Sequence, residues 1–217
     1  MRKAAFLTAV AALATVTAAQ ALPQAQPAAA PTTAIAAQAA TAAQAPVRAG
    51  AYTLDKAHAK IIWSASHFGF STYYGEFTDF DAKLNLDPAR PANSKLSVTV
   101  NTASVNGHNE ALETHLKSAD FFDVAKHPTA TFVSTRVTPT SATTADVTGN
   151  FTLLGVTKPL TLKVTFNKAG DNMAKVYTAG FSAEGTVKRS DYGMTYAVPG
   201  VSDEVKLTIS GEFNQAA

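Results

Sequence analysis

The sequence predicts an all-β fold, a closed antiparallel eight-stranded β-barrel with one short α-helix between strands, preceded by a signal peptide and a disordered linker. Three observations predict it. From Tyr52 onward, runs rich in Thr, Val and Phe recur every ten to fifteen residues with turn residues between them. Each run carries one apolar face in alternation, and a sheet of about eight such strands curls and closes to remove its edges. The exception is Asn109 to Ser118, where Leu112 and Leu116 stand four apart among polar residues and read as a short amphipathic helix.

The first fifty residues stand apart from this pattern. Met1-Arg2-Lys3 is a basic start, and the apolar run Ala4 to Ala19 is too short and too alanine-rich to span a membrane. It reads as a signal peptide over residues 1–21, with Ala19-Gln20-Ala21 as the cleavage site, which directs the chain to the periplasm or to secretion. Residues 22–50 are almost wholly Ala, Gln, Pro and Thr with a single charge, Arg48, and lack the large apolar side chains that could offset ordering entropy. Residues 51–217 are long enough for one domain with a real core. Without Arg2 and Lys3 the 18 basic residues fall to 16, matching the 16 acidic ones, so no basic field exists to attract nucleic acid or an anionic membrane. The chain has no cysteine, hence no disulfide scaffold and no lipid-modified cysteine, and no stable membrane anchor is expected.

In order along the chain, Lys60 to His67 turns Ile61, Trp63 and Ala65 to one side, and Gly69 with Ser71 to Gly75 reads as a turn. Glu76 to Leu86 has Phe80, Ala82, Leu84 and Leu86 in phase but Phe77 out of phase, which predicts a bulge near Thr78-Asp79. Lys95 to Val105 follows, and Asn106-Gly107 turns the chain into the helix. Phe121 and Phe122, bracketed by Asp120 and Asp123, read as a hydrophobic plug at a barrel corner before Pro128 restarts extended chain. Beyond it come Thr129 to Thr138, Ala145 to Leu154, Leu160 to Phe166, Tyr177 to Val187 and Glu204 to Phe213. Barrels of about eight strands are either filled by side chains or hold one small ligand, as lipocalins do. Small residues such as Ala82, Gly149, Ala183 and Gly185 alternate with phenylalanines on the inward faces, and that pattern fits both cases.

Four stretches together are more specific: YTLDKAHAKIIWSASHFGFSTYYGEF, HLKSADFFDVAKHPTATF, GNFTLLGVTKPLTLKVTF, and KRSDYGM with VSDEVKLTISGEF. In this order, over Tyr52 to Phe213, they resemble the YceI-like family of exported, lipocalin-like proteins that bind polyisoprenoids. Ala59 stands where that family more often has serine, and Tyr192 where phenylalanine or tryptophan is usual; the long linker is not part of the pattern. The resemblance implies an apolar tunnel holding an isoprenoid lipid of polyprenyl phosphate or quinone type, with its polar head near one mouth. Ile61, Trp63, Phe68, Phe70, Phe77, Phe132, Phe151, Phe166 and Phe181 are the candidate wall, and Phe121 and Phe122 the candidate gate.

Among polar residues, His67 beside Phe68-Gly69-Phe70 reads as a rim histidine or as a donor to a head group. Arg189 reads as a clamp paired with Asp203 or Asp120, or as a contact for a pyrophosphate or carbonyl head. The five histidines lack metal-ligand spacing, and no nucleophile elbow or phosphate loop is visible, so neither metal, cofactor nor catalysis is expected. The expected function is a carrier of an isoprenoid amphiphile. Alternatives are a fatty-acid or fatty-amide binder, a lipid-modifying enzyme using His67 or His115 as base, and a filled barrel serving as an interaction module. A homodimer through an exposed strand edge is compatible with the pattern.

Overall fold

The computed structural model describes residues 46–216. The expected signal peptide, its expected cleavage site and residues 22–45 of the expected linker lie outside that range. The seam of the fold is β1 (Gly50–His67), whose 18 residues serve two neighbours on one side. Its first half pairs β3 (Phe80–Leu86) and its second half β2 (Ser71–Phe77). On the other side it pairs β10 (Glu204–Gln215). From β10 the sheet runs through β9 (Tyr177–Lys188), β8 (Val156–Asp171), β7 (Thr144–Leu153), β6 (Thr129–Pro139) and β4 (Lys95–Asn101) back to β3. Every pair is antiparallel, and the β1–β10 pairing closes an eight-stranded barrel. A two-residue β5 (Val105–Asn106) pairs the end of β2.

The antiparallel register defines two ends. The lower end holds residues 46–50, the β3–β4 connection, the β6–β7 and β8–β9 turns and the C-terminus. The upper end holds the β1–β2 turn, the β4–β6 connection with α1 (Glu110–Lys117), the β7–β8 turn and the β9–β10 connection. Asn109 caps α1 by accepting from the Leu112 amide at 2.9 Å, with Glu110 and Glu113 in the first turn where the helix dipole favours them.

Two irregularities shape the wall. The β1–β10 register slips between Asp55 and Ala59, so that Leu54 and Ala59, five residues apart, both serve the interior. The line of β2 and β3 breaks at Thr78-Asp79, where the bulge was expected, and this puts both Phe77 and Phe80 inside. Ser71 to Gly75, expected as a turn, is instead strand β2; the turn is Phe68-Gly69-Phe70 alone. Gly75 lies under the Trp63 indole, and a Cβ there would run into the ring, so glycine serves close packing rather than a bend. Pro159 sits within β8 because that stretch pairs only β7; the β8–β9 ladder starts at Lys163, so the missing N–H faces no partner strand. Residues 46–50 belong to the barrel as well. Tyr52 donates its hydroxyl to the Arg48 carbonyl at 2.7 Å, and the Arg48 guanidinium lies 4.1 Å from the centre of the Tyr177 ring.

Candidate ligand tunnel

The inward faces do not fill the barrel. Two cavities are stacked along its axis, a lower one of about 360 Å³ and an upper one of about 180 Å³. Ile61, Val98, Leu162 and Ile209 line both and form a waist between them. The lower cavity is walled by inward residues of β1, β3, β4 and β6 to β10, Ala82, Leu84, Leu96, Val147 and Phe181 among them. Small side chains at Ala82 and Ala183 leave the space that larger ones would occupy.

The two ends differ. Residues lining the lower cavity include the exposed rim residues Pro91, Pro139, Ser141 and Ala142, so this cavity opens to solvent. Hydroxyls gather there: Thr144 Oγ1 lies 2.7 Å from both Thr140 Oγ1 and Ser141 Oγ. Lys95 stands on the same rim. The upper cavity is lined by no exposed residue. Leu116 of α1, Phe121 and Phe122 close it on one side, and Met194 and Val201 of the β9–β10 connection close it on the other. These two caps touch through an aromatic cluster in which the Phe121 ring lies 5.0 Å from His115 and 5.3 Å from Tyr196. Phe122 packs edge-on against Phe77 at 5.5 Å, and it lines the upper cavity together with Phe121. Both plug residues therefore face the interior, which adjacent residues achieve because the chain there is a turn and not a strand.

Arg189 holds the second cap. Its side chain is 3% exposed and donates to four backbone carbonyls: Ser202 from Nε at 3.0 Å, Met194 and Tyr196 from Nη1 at 3.1 and 2.8 Å, and Val201 from Nη2 at 2.8 Å. Burial draws its pKa down, and the charge of Asp203 opposes that shift. The clamp reading holds, but its acceptors are carbonyls in place of the expected Asp203 or Asp120 carboxylates. Asp203 instead accepts from the Ser190 amide and hydroxyl at 2.8 and 2.7 Å, and those bonds, the hydroxyl foremost, hold its carboxyl below the usual range. Asp120 pairs with His115 at 2.9 Å on the outside of the cap.

Of the expected wall, Ile61, Trp63, Phe77, Phe132 and Phe151 line the upper cavity, and Phe166 and Phe181 the lower. His67, Phe68 and Phe70 do not line either. Phe70 is 92% exposed and Phe68 58% exposed in the β1–β2 turn, beyond the last alternating position, and His67 lies against the Phe68 ring. The aliphatic wall, Val98, Leu162 and Ile209 above all, is not among the residues that sequence reasoning singles out for binding, although each lies in a strand whose alternation could have found it. The rim hydroxyls come from the β6–β7 turn and the first residue of β7, where the periodic signal ends. Among the described residues, Trp63 Nε1 is the one buried side-chain polar atom without a partner, beside the upper cavity.

On the outer wall, the β1 irregularity brings Asp55, His58 and Glu212 together, with Asp55 Oδ2 3.0 Å from His58 Nδ1. That hydrogen bond lowers the Asp55 pKa and raises that of His58, as expected of an ion pair.

This barrel can be compared with known proteins. The family model described as a YceI-like domain matches residues 52–213. The chain belongs to the YceI-like family. YceI-like relatives include a UPF0312 protein of Ectopseudomonas mendocina, 44% identical over 166 residues that cover 76% of this chain and 87% of that protein. Among solved structures, BcnA of Burkholderia cenocepacia has a TM-score of 0.68 at 26% identity, covering 73% of this chain and 98% of its own. The YCEI protein of Campylobacter jejuni has a TM-score of 0.64 at 31% identity, covering 70% and 90%. A polyisoprenoid binding domain from Saccharophagus degradans shares the fold at a TM-score of 0.56 and 14% identity, over 78% of this chain and the whole of that domain.

Proposed function

We propose that this YceI-like protein is an exported carrier that sheathes one polyisoprenoid or similar long-chain amphiphile in its barrel. The observation that carries this reading is the pair of stacked apolar cavities, open below and capped above. Each methylene moved from water into such a lining contributes about 0.8 kcal/mol, so a long chain binds tightly without a specific hydrogen bond. The tail enters first and fills the upper cavity. The head remains at the lower rim beside Lys95 and the hydroxyls of Ser141 and Thr144, not at the upper end near His67 or Arg189. Description of the Saccharophagus degradans domain as polyisoprenoid binding agrees with this cargo. Fatty acids and fatty amides fit the same lining.

The carrier reading is favoured over a lipid-modifying enzyme because the ionisable residues lining the two cavities are Lys95 and Arg189, with no His, Asp or Glu among them. Arg189 has its donors committed to carbonyls. Delivery to the periplasm or beyond rests on the residue 1–21 signal, and cell fractionation tests it. A homodimer would form along β2, whose Ser71 to Gly75 stretch pairs β1 but, among the described residues, has no strand on its other side.

The deciding experiment is organic extraction of the protein from its own host, followed by mass spectrometry of the released species per mole of chain. Near-stoichiometric isoprenoid is expected. Another long-chain lipid would keep the tunnel and change the cargo class. An empty protein whose Trp63 fluorescence ignores added isoprenoids would overturn the proposal.

A further inference from the structure

The open end of the tunnel has a character that no stretch of sequence shows. Four basic side chains, Arg48, Arg90, Lys95 and Lys175, stand exposed on the segments that frame the lower end, although they are scattered over more than a hundred positions of the chain. The same segments carry two acids, Asp87 and Asp171, and Asp87 already accepts from the Arg90 amide, from the Arg90 guanidinium at 3.3 Å and from Asn93. The β8–β9 hairpin runs six residues past Thr165, the last β8 residue paired with β7. Its turn holds Met173 fully exposed, at 102%, and Val176 at 37%. Arg48 stacks on Tyr177, which pairs Asp171 beside the turn of this hairpin, while its neighbour Val47 lines the cavity, so hairpin and mouth are one surface. Pro91, Pro139 and Ala142 add exposed apolar rim.

We propose that the lower end is a docking face for an anionic lipid bilayer, with Met173 and Val176 entering the interface and the four basic residues meeting lipid phosphates. The inference rests on the carrier reading: a cargo held by burial alone is almost insoluble, and transfer without a water crossing needs the open mouth against the membrane. A near-neutral exported chain gains this affinity because the fold segregates its charges. Each basic residue at an anionic surface strengthens binding about fivefold, over a range set by the Debye length. Docking is accordingly weak, reversible and salt-sensitive.

The test is flotation of the purified protein with vesicles of mixed phosphatidylglycerol and phosphatidylcholine, against phosphatidylcholine alone. Binding to the anionic vesicles is expected, declining as salt rises. The double variant Met173→Asp, Lys175→Glu is expected to lose about tenfold or more of that binding. Phe70→Asp at the other end should leave it unchanged. Uptake of farnesol, read from Trp63 fluorescence without vesicles, should be the same in all three proteins. Equal binding to neutral vesicles, no vesicle binding, an unaffected double variant, or loss on Phe70→Asp would each overturn the proposal. Vesicle docking by a protein that takes up no isoprenoid would leave the docking face standing and sink the carrier reading.

Discussion

Arg189 shows how a single side chain can organise an end of the molecule. Its guanidinium spreads over four carbonyls of residues 194–202, groups that a loop buried against the barrel has no ladder to satisfy. Removing it leaves those acceptors without donors at about 1–3 kcal/mol for each one that water fails to reach. Arg189→Met is therefore expected to lower unfolding free energy by roughly 3 kcal/mol, and Arg189→Lys nearly as much, because an ammonium cannot reach acceptors arranged around a planar fork. Urea unfolding with an unchanged m-value measures this, and a loss under about 0.5 kcal/mol would mean that water meets the carbonyls instead. That Arg189 would clamp a loop was legible from the sequence. Its partners were not, because a backbone carbonyl has no letter, and pairing by charge points to carboxylates such as Asp203.

Strands were legible wherever one face is buried, because a one-residue slip would turn the whole apolar set outward. Leu160, Leu162, Val164 and Phe166 fall inside for this reason, as does the alternation from Tyr177 to Val187. Turns obey no such rule, and Phe68 and Phe70, aromatic neighbours of a good strand, proved to lie outside the tunnel. The helix is where its spacing put it and Phe121 and Phe122 border the upper cavity, yet the contact of Phe121 with Tyr196 joins two connections some 75 positions apart and left no local trace. The asymmetry of these elements makes a kinetic prediction. If cargo passes the lower rim, Ala142→Phe, set among Pro139, Ser141 and Thr143, should slow farnesol uptake about tenfold while stability stays near wild type. Tyr196→Ala loosens the upper cap by about 0.5–1.5 kcal/mol, the usual worth of an aromatic pair, but should leave the uptake rate within about twofold. Stopped-flow Trp63 fluorescence distinguishes the routes; the reverse ranking would put the entrance at the cap.

For the whole molecule, pattern alone left the filled and the ligand-holding barrel undecided, because interior volume depends on how every strand tilts and closes, not on any one strand's alternation. Once the β1–β10 seam closes, Ala82 and Ala183 leave space that Phe181 and Phe213 do not fill, and the waist of Ile61, Val98, Leu162 and Ile209 divides it. A tunnel of fixed length measures its cargo. Affinity for polyprenols of increasing length should climb, by about fourfold for each further methylene buried, until the upper cavity is full and then level off. Val98→Phe adds bulk at the waist, pointing into existing space, so the fold should tolerate it while the upper 180 Å³ is cut off from the mouth. Its dissociation constants should match wild type for short prenols and level off at a shorter chain. Titration of a prenol series into both proteins would read this directly. If the two curves level off at the same length, the chain does not pass the waist, and the upper cavity serves the cap's packing alone.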